Sequence, residues 1–183
     1  GGTAISERVR TLILDPASYA MLPETEALLY AAARAQLVGE RIRPALSAGT
    51  VVVCDRFVDS SLAYQAGGRG LAMADVWAIQ QLATGGLQPD LRILLDLPVR
   101  IGLRRRLADH QQVNRLDTAD IAFHERVRDC YWTLARQDPA GWIVLDANVP
   151  PERLAATIAA AVSDRLRDRN EARSLAAHDG GAQ

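Results

Sequence analysis

Residues 49–70 read GTVVVCDRFVDSSLAYQAGGRG. The run Thr50–Cys54 is continuously apolar and β-branched, the pattern of a strand buried on both faces. It stops abruptly at the polar pair Asp55-Arg56. Two further runs repeat this arrangement, Leu91–Leu97 (LRILLDL) and Trp142–Asp146 (WIVLD), and each carries a carboxylate near its end. Between and around them lie segments with helical periodicity. Short apolar strands alternating with longer helices specify an α/β chain, with a parallel sheet covered by helices on both faces in three layers. In such sheets ligands bind beyond the carboxyl ends of the strands. Here those ends carry Asp55-Arg56, Asp96 and Asp146-Ala147-Asn148.

Working outward, residues 5–14 predict a short helix with Ile5, Val9, Leu12 and Ile13 on one face, ending before Asp15-Pro16. Residues 23–47 predict a longer one, with Pro23 at its start and Glu24 and Glu26 in the first turn, where the helix dipole favours acids. Pro44 is expected to kink or end it. Helices are also expected at 73–84, 99–107, 119–137 and 150–169, with a polar loop at about 108–118 and an unstructured tail at 170–183. One domain spanning residues 1–169 accounts for the whole pattern.

The composition excludes several function classes. The 183 residues are 49% hydrophobic and 23% charged with a formal net charge of −1, so no global field draws the chain to nucleic acid or to a membrane surface. RNA binding is disfavoured because 22 acids balance the basic residues. All 21 basic residues are arginine, which removes any mechanism that needs a lysine ammonium. Cys54 and Cys130 form neither a disulfide framework nor a zinc-type spacing, and no metal ligand set is evident. No run is long enough to span a membrane and no secretory signal opens the chain, so a cytoplasmic location is expected. The chain begins Gly1-Gly2-Thr3 and not with methionine, which reads as a fragment.

Three clusters are candidates for chemistry. Arg56, one residue past a buried strand, stands where its planar fork suits a phosphate or carboxylate, and Ser60, Ser61, Tyr64 and Gln65 follow within the next turns. The alternative is a surface Asp55-Arg56 ion pair followed by helix-capping serines. Tyr30 and Arg34 share a helix face, an aromatic ring beside a cation that can stack on a base and hold its phosphate. A core tyrosine with a snorkelling arginine is the plainer reading. Arg104-Arg105-Arg106 precede the 108–118 loop and Arg115 lies within it, and these can close over phosphates as a lid, although adjacent arginines on a helix cannot all face one way. His124 and the other histidines have no partners at metal or triad spacing.

At these residues, and in this order along the chain, the sequence resembles the bacterial thymidylate kinase family. The matching pieces are Gly1-Gly2-Thr3; Arg10; Tyr30 with Arg34; Asp55-Arg56-Phe57 with Ser60-Ser61, Ala63-Tyr64-Gln65 and Gly68-Arg69-Gly70; Pro89-Asp90; the arginine-flanked loop; and Leu145-Asp146-Ala147. The resemblance implies a P-loop NTPase, nucleoside monophosphate kinase-like fold and transfer of the γ-phosphoryl group of Mg2+-ATP to dTMP by a homodimer. It implies that Tyr30 stacks on thymine, that Arg34 and Gln65 lie near the base edge, and that Arg56 and Arg10 hold the acceptor phosphate. It also implies that Ser61 and Tyr64 contact the nucleoside, that Arg56, Arg105 and Arg115 act in catalysis, and that Arg105, Arg115 and Ala147 meet ATP.

Three departures accompany the likeness. Tyr30 stands where the family usually has phenylalanine. Asn114-Arg115-Leu116-Asp117 replaces an Asp-Arg pair ending in glutamate. The chain has no G-x-x-x-x-G-K-[ST] segment. The strand and P-loop that precede Gly1-Gly2-Thr3 in the family are therefore expected to be missing, along with transfer activity and independent folding of these residues. The rival expectation is a non-catalytic nucleotide-binding or dimerisation module derived from the kinase.

Overall fold

A computed structural model describes residues 2–108 and 114–179. Its contacts group into two compact units, one of residues 1–88 with 98–137, the other of 89–97 with 138–183.

The first unit is helical. Helix α1 (Ala4–Leu14) is capped by Thr3, whose hydroxyl accepts the Ser6 N–H at 3.2 Å. It buries Ser6 and Ile13, seven residues apart and so on one face, and packs against α2. The apolar stripe predicted for it is buried only in part: Ile13 is buried, whereas Ile5 and Leu12 are exposed. Helix α2 (Pro23–Leu37) starts on proline as predicted, then widens into a π-helical turn over Val38–Ile42 before α3 (Arg43–Ser47). Pro44 is the physical cause we assign. It has no N–H to return to the previous turn, and Arg43 N–H reaches back to Val38 O, so the ladder shifts instead of ending.

Helix α4 (Val58–Ser61) likewise continues as a π-helical segment over Leu62–Gly68. Val58, Leu62 and Ala66 pack with Val76 of α5 (Met73–Thr84) in one core cluster. Ala63 packs with Phe123 and Val127 of α7 (Ile121–Gln137) in a second. Glycine is required at that second contact, because a Cβ on Gly68 would sit 2.6 Å from Phe123 and one on Gly67 would sit 2.6 Å from Cys130. Helix α6 (Val99–Leu107) carries Arg104, Arg105 and Arg106 in its last turn, where the dipole favours cations. Asp120 accepts the Phe123 N–H at 2.6 Å and caps α7. Of the predicted loop at 108–118, residues 109–113 lie outside the described residues.

The second unit holds the only sheet among the described residues. Strands β1 (Arg92–Asp96) and β2 (Trp142–Asp146) pair in parallel, from Arg92 opposite Trp142 to Asp96 opposite Asp146. Helix α8 (Pro151–Asp179) is joined to this unit by Arg165, which donates to Ala140 O at 2.5 Å, and by an Arg169–Asp90 ion pair. It runs past Arg169, where the sequence predicts its end, through most of the expected tail; residues 180–183 lie outside the described residues.

The first predicted strand does not form. Residues 50–54 belong to no ladder, and Val53 is 92% exposed. β-branching favours an extended backbone, but a strand also needs a neighbour to take its hydrogen bonds, and no described strand lies beside this one. The fold class is α/β with a parallel sheet, and the described sheet is smaller than the sequence predicts.

Candidate functional site

Glu26, Tyr30 and Arg34 stand at successive i,i+4 positions, so their side chains line one face of α2. Each meets a different set of partners, and together they organise the site in the first unit.

Glu26 is fully buried. Arg69, at the end of the widened helix, donates to it through Nε at 3.3 Å and Nη2 at 3.1 Å, and Gln65 Nε2 donates at 3.0 Å. Arg115 donates a further hydrogen bond through Nη2, and its Nε reaches Ile13 O at 3.1 Å. Burial works to raise the Glu26 pKa, but the hydrogen bonds from Arg69, Gln65 and Arg115 outweigh it and hold the carboxyl below its ordinary range. The acid that the sequence places in a dipole-stabilised first turn is therefore the anchor of three segments.

Arg34 is buried among neutral acceptors. Nη1 donates to Ser61 Oγ at 2.9 Å and to Gln80 Oε1, and Nη2 donates to Phe57 O at 2.8 Å. The guanidinium carbon lies 5.6 Å from the Phe57 ring centroid. Burial lowers its pKa to about 10, which leaves it a cation at neutral pH.

Tyr30 is half-buried between them. Its phenol pKa is raised by burial and by Glu26, against the opposing fields of Arg10, Arg56 and Arg115. Arg10 and Arg56 are exposed, and neither forms an ion pair among the described residues.

The backbone at Arg56 has φ +64°, the one positive value at a described residue other than glycine. Left-handed backbone is costly for a side chain with a Cβ, and such strain is concentrated at functional positions. The Arg56 guanidinium carbon lies 5.0 Å from the Tyr64 ring centroid. Tyr64 in turn meets Phe123 and Tyr131 edge-on, at 6.0 and 6.5 Å between centroids. Tyr131 shares a 2.7 Å hydrogen bond with Ser60. Burial pushes the Tyr131 phenol up to about 12, against Arg56 and the Ser60 hydrogen bond.

The structure thus stacks Arg56 against Tyr64, and the fields of Arg10 and Arg56 reach the Tyr30 phenol. Arg34, Ser61, Gln65 and Arg115 have polar atoms engaged by the protein itself. The alternatives at Asp55–Ser61 are not realised: Asp55 and Arg56 form no ion pair, and Ser60 and Ser61 lie inside α4 and do not cap it. Arg105 is exposed at the end of α6, while Arg106 Nε pairs with Asp117 at 3.0 Å. Ala147 belongs to the second unit, where its N–H is donated to Asp96 O at 2.8 Å and extends the strand ladder by one bond.

Sequence reasoning missed Glu26, Arg69, Gln80 and Tyr131 as parts of this constellation. One signal for Gln80 was available. It lies midway between Val76 and Thr84 at helical spacing, on the buried face of α5. Among the described residues no cluster of His, Cys, Asp and Glu can hold a metal ion, and no helix is long and apolar enough to cross a membrane.

Comparison with known proteins gives a consistent result. The family model for thymidylate kinase matches residues 1–158. The thymidylate kinase of Thermomicrobium roseum is 50% identical over 167 residues, covering 91% of this chain and 79% of that protein. That of Lacticaseibacillus casei is 49% identical over 169 residues, covering 91% and 78%. That of Deinococcus radiodurans is 50% identical over 165 residues, covering 90% and 79%. A match that runs through Arg10, the α2 face, Arg56 and both strands spans every element of the site and of the sheet, and the chain belongs to the thymidylate kinase family.

Proposed function

We propose that the chain is a nucleoside monophosphate kinase that phosphorylates dTMP to dTDP, and that the zone around Tyr30 is its acceptor site. The observation that supports this placement is the Arg56 guanidinium over the Tyr64 ring at 5.0 Å, with the fields of Arg10 and Arg56 felt at the Tyr30 phenol and Glu26 committed to Arg69 and Arg115. Two exposed arginines that form no ion pair among the described residues, beside an aromatic face, suit a ligand that is flat at one end and dianionic at the other.

In this reading Tyr30 stacks on thymine, and Arg34 and Gln65 stand behind the base edge, already oriented by Ser61, Gln80 and Glu26. Arg56 and Arg10 hold the monophosphate, with Tyr64 beneath the Arg56 guanidinium and in contact with the nucleoside together with Ser61. Arg105 at the end of α6 reaches the donor phosphates, and Ala147 is assigned to the donor nucleotide. Arg115 acts from a docked position, since Glu26 already engages it. Phosphoryl transfer requires in-line positioning and neutralisation of charge more than covalent participation, and fixed guanidinium groups serve both needs.

ATP is the donor in this reading, within a P-loop NTPase-type fold. Mg2+ supplies charge neutralisation of the donor phosphates when bound, but the described residues build no site for it, and none of the arginine or tyrosine roles depends on one. A homodimer in the cytoplasm completes the proposal.

Calorimetric titration tests the acceptor site directly. dTMP is expected to bind more tightly than dCMP, and Arg56→Ala is expected to weaken it by about 1–3 kcal/mol, the worth of a charge-assisted hydrogen bond. Equal affinities for the two nucleotides would overturn the specificity. An unchanged affinity in Arg56→Ala would overturn the phosphate role. ATP-dependent formation of dTDP by protein carrying these residues tests the reaction itself.

A further inference from the structure

We propose that Gln80 is the positioning residue for Arg34 and, through Arg34, sets which pyrimidine monophosphate the pocket accepts. The inference rests on the dTMP-site reading and adds a residue to it.

Gln80 is fully buried on α5, and its Oε1 accepts from Arg34 Nη1. Its Nε2 has no hydrogen-bond partner. A buried amide with one idle end carries a desolvation cost that an apolar side chain of the same shape avoids. Glutamine at this position is therefore explained by its carbonyl oxygen. The opposite amide orientation would set N–H donors against the guanidinium, which has no acceptor.

That oxygen completes a set of three acceptors, with Ser61 Oγ and Phe57 O, drawn from α4 and the residue before it as well as from α5. Three bonds from two nitrogens fix the guanidinium plane, and the donors left over, Nε–H and one on Nη2, then have fixed directions. A guanidinium offers only donors. Thymine presents a carbonyl oxygen where cytosine presents an amino group, so a fixed set of donors favours the first and opposes the second. Without Gln80 the guanidinium keeps its charge and its place in the core but loses one of the bonds that define its plane. Selectivity should then fall more than stability does.

The test compares dTMP and dCMP affinities by calorimetry in the unaltered chain, Gln80→Met and Gln80→Glu, with thermal melts of each. Methionine keeps the length without the acceptor, whereas glutamate keeps the acceptor and pairs with the cation. Gln80→Met is expected to lower the dTMP-to-dCMP affinity ratio at least tenfold, chiefly by weakening dTMP, and Gln80→Glu to retain the preference. Adding Gln80→Met to Arg34→Met should produce no further loss of ratio. A purely structural role would lower the melting temperature and both affinities in parallel, so an unchanged ratio in Gln80→Met overturns the proposal. If the unaltered chain shows no preference, the selectivity role falls together with the functional reading. Urea midpoints without ligand separate that failure from a wrong pairing. Coupling between Arg34→Met and Gln80→Met upholds the pair, and strict additivity removes it.

Discussion

Replacing Glu26 with glutamine removes one charge from the most heavily engaged buried group in the first unit. The isosteric amide keeps a carbonyl oxygen for one donor but turns an N–H toward the others. Breaking a buried ion pair by removing one partner costs about 3–5 kcal/mol when the survivor is sealed from water. Here the surviving arginines are partly hydrated, with side-chain exposures of 24% for Arg69 and 10% for Arg115, so the lower part of that range applies. A loss of about 3–4 kcal/mol at pH 7 is expected, which lowers a urea midpoint by roughly 1.5–2 M at an m-value of about 2 kcal/mol/M. Glu24→Gln, exposed on the same helical turn, is the control and should shift the midpoint little.

The pH dependence supplies a second signature of the same group. The folded pKa of Glu26 is depressed, so its contribution is complete above the unfolded value of about 4.3 and disappears as pH falls through the folded value. The gap between the unaltered chain and Glu26→Gln should therefore stay constant from pH 7 to about pH 5 and shrink on further acidification. A gap that remains flat to pH 3, or a midpoint shift no larger than that of Glu24→Gln, would refute the assignment of Glu26 as an ionised anchor.

Three shorter predictions use other features. Arg56→Gly relieves a left-handed backbone worth about 1–2 kcal/mol while deleting the guanidinium, so the melting temperature should rise as dTMP affinity falls; a fall in both would mean that the conformation carries no strain. Gly68→Ala forces a Cβ to 2.6 Å from Phe123 and 2.8 Å from Val127, and should cost about 1–3 kcal/mol in denaturant unfolding, against a small effect for alanine at Gly39, where nothing lies within 4 Å. Val53→Thr in this 183-residue chain should change stability by less than about 0.5 kcal/mol, because Val53 is 92% exposed, and a much larger loss would show that the segment is buried after all.

Helices whose boundaries depend on nearby residues were legible in the chain itself. Pro23 opens α2, and the spans 73–84 and 99–107 appear as predicted, because proline geometry and apolar periodicity act over a few residues. The β-branched and apolar runs at 92–96 and 142–146 are strands as well, each with a parallel neighbour. The pairing of Tyr30 with Arg34 on one face followed from the helical repeat alone. The family was legible too, since its motifs are ordered along the chain.

Only the tertiary structure decided which polar groups are spent and which are free. Thr50–Cys54 has the composition of a central strand, yet a ladder is a property of two segments, and local sequence cannot supply the second. Glu26 looks like any acid in a first turn until Gln65, Arg69 and Arg115 arrive from 39, 43 and 89 residues away. Arg115 looked like a free lid cation and is docked, because a buried carboxylate is a stronger partner than water. Gln80 looked like a helix former and is an orphaned amide holding an arginine. Burial converts a polar side chain from solvated surface into an obligate hydrogen-bonding group, and burial is set by contacts that no local window of sequence contains.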